Sequence, residues 1–157
     1  MCKISAFFYG SLTSGNWNSH FCRSCLSVES ALVCGRIYQL SAGFPAMQVP
    51  AESILAMGTR SPAQDAKTQT EHNAKPVEFK IRDGWNEVYG ELVTFGNPDR
   101  DLGPIDRLEN HPSFYLRVLI PVRRGSGEVT AAWAYIMPCL PPGFKQIKSG
   151  HWRPHIR

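Results

Sequence analysis

The chain has 157 residues, 43% hydrophobic and 19% charged, a balance that suits a packed globular protein and argues against disorder. Seventeen Lys and Arg against 13 Asp and Glu leave a formal charge of +4, spread out except at Arg123-Arg124 and in the tail from His151, which speaks against a nucleic-acid face. There is no apolar run near the ~18 residues that cross a bilayer and no signal-peptide pattern, and an odd number of cysteines (2, 22, 25, 34 and 139) does not form a disulfide framework.

These bounds lead to the expectation of one cytoplasmic domain over residues 1–157, able to bury about 70% of its unfolded surface, with no nucleic-acid or membrane partner.

The first predicted element is a strand over residues 3–9, closed by Tyr9-Gly10-Ser11-Leu12. A small-residue turn of this kind can expose consecutive backbone N–H groups, a nest that suits a carboxylate or an oxyanion, although a plain strand end has the same composition. Residues 16–28 then place Trp17, Phe21, Cys22, Cys25 and Leu26 at spacings of three to five, which predicts a helix with one buried stripe. Cys22 and Cys25 form a C-x-x-C, but no second pair completes the four ligands of zinc. Both are read as small core residues, and no metal is assigned.

Residues 31–40 alternate as a strand with apolar residues on both faces, as in a barrel or covered sheet, and Gly35 sits where either another backbone or a bend can lie close. Ser41, Ala42 and Gly43 turn the chain into a short strand or extended arm over 44–49, broken by Pro45. Residues 51–57 suggest a short helix, and 58–76 are polar without an apolar period, a long loop that serves either as a lid or as a mobile surface excursion.

Strands follow at 77–81 and 86–95, joined through Asp83-Gly84 as a hairpin, with Glu91 either a site residue or a partnered strand residue. A loop at 98–103 feeds a helix that starts at Pro104 and stops before Pro112. On it Glu109 lies beside Ile105 and Leu108. Desolvation there, with like charge from Asp106, predicts a pKa above the usual carboxylate value of about 4.3. Strands at 115–122 and 129–137 complete the sheet, Pro-rich 138–143 ends it, and the tail packs through Trp152. The expected fold is α+β, a mainly antiparallel or mixed barrel-like sheet with a few short helices.

Taken in order, Tyr9-Gly10-Ser11-Leu12, Gly35-Arg36-Ile37-Tyr38, Gly43-Phe44-Pro45-Ala46 and Val88-Tyr89-Gly90-Glu91-Leu92-Val93 form one half of a recognisable set. Ile105-Asp106-Arg107-Leu108-Glu109, Tyr115-Leu116-Arg117, Ala132-Trp133-Ala134-Tyr135 and Gly150-His151-Trp152 form the other. The set resembles the γ-glutamylcyclotransferase-like family, which includes the γ-glutamylamine cyclotransferases and the plant AIG2-like proteins. The resemblance covers nearly the whole chain apart from an insertion at about 50–76.

It implies a small mixed β-barrel flanked by short helices, with the active pocket at one mouth. It also implies an intramolecular cyclisation of a γ-glutamyl amine or γ-glutamyl amino acid to 5-oxoproline, without cofactor. By the resemblance, Tyr9, Gly10, Ser11 and Leu12 hold the glutamyl moiety, Glu109 is the acid/base, and Tyr115 and Arg117 are pocket or supporting residues. Where many relatives have Gly after the Glu, this chain has Asn110-His111-Pro112, and His111 either enters the pocket or is simply exposed. The rival reading is a non-catalytic γ-glutamyl binding module on the same fold. Which γ-glutamyl compound is used, and the oligomeric state, are left open by the sequence.

Overall fold

Five strands close on themselves in the computed structural model, which describes residues 2–40 and 43–153; the expected turn at Ser41 and Ala42 and the last four residues of the tail lie outside the described residues. β1 (Ile4–Phe8) pairs antiparallel with β5 (Asn86–Phe95) and parallel with β7 (Val129–Ile136). β7 pairs antiparallel with β6 (Leu116–Arg124), and β2 (Ser27–Gln39) closes the ring by pairing antiparallel with both β5 and β6. Three short strands extend this barrel: β3 (Pro45–Gln48) and β8 (Lys145–Gln146) border the far half of β2, and β4 (Ala56–Met57) lies along β6. The fold is the small mixed β-barrel that the sequence led us to expect, and closure leaves few strand edges open to other chains.

Both strand faces are buried, which explains the two-sided apolar patterns. One face, with Phe7, Val33, Leu92, Val118 and the small Ala132 and Ala134, fills the barrel interior. The other, with Phe8, Phe95, Leu119, Trp133 and Tyr135, packs beneath α1 (Pro62–Asn73) and α2 (Pro98–Leu108) through Ala66, Leu102 and Ile105. Burying each of the larger apolar side chains stabilises the fold by about 1.5–3 kcal/mol. Gly35 lies where β2 passes from β5 to β3, and a Cβ there would stand 2.9 Å from the Gln48 carbonyl oxygen, so the close backbone approach is real.

Five expectations are corrected. Residues 16–28 do not form a helix: successive i to i+3 turns lead to a 3-10 turn at Ser19–Cys22, and β2 begins at Ser27. The segment is rich in Ser and Asn, whose side chains compete for local hydrogen-bonding groups. Asn16 donates to the Thr13 hydroxyl and Asn18 to that of Ser11. Residues 51–57 hold only a 3-10 turn at Ala51–Ser53 before β4.

The polar loop expected at 58–76 contains helix α1. Ser61 caps it by accepting from the Gln64 N–H, Pro62 begins it, and its buried face is polar rather than apolar, built on Asp65, Ala66 and Gln69. The Gln69 side chain accepts from Ser5 N–H and donates to Ala131 C=O, bridging β1 and β7.

Residues 77–81 are not a strand, because β5 already has β2 and β1 on its two edges. Helix α2 begins at Pro98, not Pro104: the Asn97 side chain accepts from the Arg100 N–H, and Pro104 lies inside the helix.

Candidate active site

Seven of the residues singled out in the sequence differ in where the fold puts them, and six of them meet. Tyr9, Gly10, Ser11, Leu12, Glu109 and Tyr115 line one cavity of about 190 Å³ at the end of β1. Arg117 does not reach it; it is fully buried beneath α2 and α1. A groove of about 540 Å³ lies elsewhere, between residues 71–82 and β6, and is lined by none of the six.

The turn after β1 supplies one wall. Gly10 C=O accepts from Thr13 N–H and Ser11 C=O from Asn18 N–H, and the turn is fastened by Glu91, whose carboxylate accepts from both the N–H and the hydroxyl of Ser14. Glu91 is therefore a partnered strand residue that shapes the turn from outside the cavity. Among the described residues, the N–H groups of Gly10, Ser11 and Leu12 make no hydrogen bond. Three consecutive donors at a cavity wall form a site for a carboxylate or an oxyanion. Gly10 packs directly against Pro45, where a Cβ would lie 2.8 Å from Pro45 Cγ.

The other wall is the end of α2. Glu109 is its C-cap, and the chain leaves through a Schellman turn: His111 N–H donates to Asp106 C=O at 2.9 Å and Asn110 N–H to Arg107 C=O at 3.2 Å. Asn110 takes the left-handed conformation, φ 52°. Asparagine adopts that conformation more readily than other residues with a Cβ, which accounts for Asn at a position where Gly is the commoner choice. This geometry turns the Glu109 side chain into the cavity, and no hydrogen bond from a described residue reaches its carboxyl group. Burial raises its pKa from about 4.5 to about 7. The expected contribution of Asp106 is missing from that shift; its carboxylate is paired with Arg117.

Arg117 donates from Nε and Nη2 to the two oxygens of Asp106 at 3.0 and 2.9 Å, from Nη1 to Asp65, and from Nη2 to the Thr59 carbonyl. Burial alone would lower its pKa, but the hydrogen bonds to Asp106 and the charges of Asp106 and Asp65 raise it above the ordinary arginine value. His111 also stays out of the cavity. Its Nδ1 accepts from Arg117 N–H at 3.0 Å, which leaves Nε2–H to donate to the Thr59 carbonyl at 2.7 Å.

Three tyrosines line the cavity with their rings and spend their hydroxyls on the protein. Tyr9 donates to Tyr135 C=O at 2.7 Å, Tyr115 to Pro45 C=O at 2.8 Å, and Tyr135 to Asp106. Burial first, then neighbouring Tyr115 and Glu109 for Tyr9 and Glu109 for Tyr115, raises the pKa of both, so both stay neutral. Tyr135, Phe44, Pro45 and Phe114 were given no role by the sequence. The first three stand in the quoted stretches, so order along the chain was the signal available, whereas nothing local pointed to Phe114.

Cys22 is buried and its Sγ donates to Leu12 C=O at 3.7 Å, behind the turn; burial pushes its thiol up to about 12. Cys25 is half-buried and packs against the same core.

A family model described as gamma-glutamyl cyclotransferase, AIG2-like, matches residues 75–154, which include Glu109 but not the turn at 9–12. Among curated proteins none matches the chain by sequence. The fold is similar to that of an Arabidopsis thaliana protein known from its solution structure, with TM-score 0.57 and 16% identity over 90% of this chain and 74% of that one. YkqA of Bacillus subtilis is similar at TM-score 0.55 and 18% identity over 96% of this chain, which spans only 39% of YkqA. A yeast γ-glutamyl cyclotransferase specific to glutathione gives TM-score 0.53 and 13% identity over 92% of this chain and 72% of that one. At these identities the likeness is one of fold.

Proposed function

The chain belongs to the γ-glutamyl cyclotransferase, AIG2-like family, and from that premise we propose that it cyclises a γ-glutamyl amide to 5-oxoproline and releases the amine. The observation that carries this reading is the pairing across one small cavity of Glu109, a carboxyl with a pKa of about 7, and the free N–H groups of Gly10, Ser11 and Leu12. Opposed in this way, a base and a set of oxyanion donors are what the reaction asks of a protein.

The α-amino nitrogen of the substrate forms a bond to the γ-carbonyl carbon, and the bond from that carbon to the leaving nitrogen breaks. One proton moves from the attacking nitrogen to the departing one, and no water is consumed. Glu109, half-ionised near neutral pH, takes that proton and returns it. The N–H groups of the turn hold the glutamyl carboxylate or the oxyanion that develops on the γ-carbonyl. Enclosure of the glutamyl part favours the folded conformer in which nitrogen and carbonyl meet, which is the larger share of the work in an intramolecular reaction.

The test is release of 5-oxoproline from γ-glutamyl amines and γ-glutamyl amino acids by the purified chain. Turnover that vanishes in Glu109→Gln supports the reading. Saturable binding of the same compounds without 5-oxoproline would instead mark a binding module.

A further inference from the structure

We propose that the amine released at this site is apolar and uncharged, so that the substrates are γ-glutamyl amides of alkyl or aryl amines rather than γ-glutamyl compounds carrying a second charged group. The inference rests on the cyclotransferase reading and adds to it the class of leaving group. Three observations carry it.

The first is size. A cavity of about 190 Å³ is below the ~300–1,000 Å³ of pockets that enclose drug-sized ligands. With the glutamyl part held between Glu109 and the turn, the amine part must emerge at the rim. The second is the rim itself: Phe44, Leu108 and Phe114 line the opening and are 40%, 40% and 55% exposed. Trp17, 54% exposed, stands edge-on to Phe44 with ring centroids 6.1 Å apart and extends the apolar surface. Large apolar side chains left open to solvent around a cavity mouth gain by covering themselves with an apolar ligand.

The third is charge. Among the described residues, no Lys, Arg or His lines the cavity, and Glu109 is the sole carboxyl there. The hydroxyls of Tyr9, Tyr115 and Tyr135 already donate to protein oxygens. A carboxylate on the amine part would lie among Phe44, Leu108 and Phe114 with no cation among the described lining residues to meet it, and an ammonium there would find among them only Glu109, which the reaction needs for the α-amine. Desolvating either charge without a partner is unfavourable.

The experiment compares γ-glutamyl-n-butylamide and γ-glutamyl-benzylamide with γ-glutamyl-4-aminobutanoate and γ-glutamyl-1,4-diaminobutane, which place an anion or a cation at the end of a chain of similar length. We expect kcat/KM for 5-oxoproline release to favour the first two by roughly 10- to 200-fold. Phe114→Ser, a change at an exposed position, should narrow that ratio; an unchanged ratio would overturn the role of the rim. Faster turnover of either charged compound overturns the inference while leaving the cyclotransferase reading intact. Should none of the four release 5-oxoproline, that reading fails instead, and calorimetric affinities for the same compounds decide the present one: tighter binding of the apolar pair upholds it, and equal or weaker binding ends it.

Discussion

Arg117 holds Asp106 by both carboxylate oxygens, Nε donating to one at 3.0 Å and Nη2 to the other at 2.9 Å. Asp106 stands on α2 three residues before Glu109, and Nη1 of the same guanidinium reaches Asp65 on α1, so one side chain of β6 fixes both helices to the barrel. Removing the cation leaves two buried carboxylates unpaired, which is far costlier than losing a surface ion pair. Arg117→Met should therefore lose about 3–5 kcal/mol in urea unfolding. Arg117→Lys should recover only part of this, because an ammonium cannot serve both oxygens of Asp106 and also reach Asp65. Unfolding of the Met variant at the wild-type midpoint would mean that the pairs add nothing.

Helix α1 should behave as a fixed part of the barrel. Its Gln69 amide bridges β1 and β7, and Asn73 accepts from Ala131 N–H at 2.8 Å and donates to Ala131 C=O at 3.0 Å. These bonds are buried or partly so, and truncating Gln69 removes the partner of Ser5 N–H on β1 and one of the two donors to Ala131 C=O on β7. Gln69→Ala should cost about 1–3 kcal/mol, and hydrogen exchange in residues 62–73 should be as slow as in β2. Preferential proteolysis within α1 would refute this.

The barrel strands were legible because their signal is local: β2, β5, β6 and β7 carry period-2 patterns long enough to read, and β5 was placed at its observed bounds. Helix α1 was not, because its inward face is held by polar side chains whose partners, Ser5, Ala131 and Arg117, lie 52 to 64 residues away. A search for apolar periodicity cannot find a helix anchored by Asp65 and Gln69. The same limit applied to Arg117. The resemblance made it a pocket or supporting residue, yet only the fold reveals that its partners are Asp65 and Asp106 and that it stays beneath the site. Glu109 and the 9–12 turn were singled out because two signals fell on each: helix spacing beside Ile105 and Leu108 for the first and a small-residue turn for the second, and position within an ordered set of motifs for both.

Asn110 makes a sharper test of the α2 terminus. Its φ of 52° is unfavourable for a residue with a Cβ, and less so for Asn. Asn110→Gly should leave stability unchanged or raise it slightly, whereas Asn110→Val should lose about 1–2 kcal/mol. Because the Schellman turn aims the Glu109 carboxyl, the Val variant should also lose more turnover than its stability loss explains. If Val is tolerated in both respects, the left-handed turn does not position the site.

Glu109 itself links stability to activity through pH. Its carboxyl has a pKa of about 4.5 in ordinary surroundings and about 7 in the folded protein, because burial disfavours its charged form. Below about 4.5 it is protonated folded or unfolded and costs nothing. Between about 4.5 and 7 the unfolded chain releases the proton first, so stability falls as pH rises; above about 7 the loss is constant. Glu109→Gln has no such proton to release. Its stability relative to wild type should therefore rise from pH 4 to pH 8, by about 1–3 kcal/mol once partial exposure is allowed for. On the proposed mechanism the ionised form is the base, so wild-type kcat/KM should climb about tenfold per pH unit below 7 and level off above it. The Gln variant should fold, bind a γ-glutamyl amide and lose on the order of 10² to 10⁴ in rate. Urea midpoints at the two pH values and a pH–rate profile check the two halves separately. A stability difference that does not change with pH would remove burial as the cause of the raised pKa, and a folded Gln variant with wild-type turnover would take Glu109 out of the mechanism.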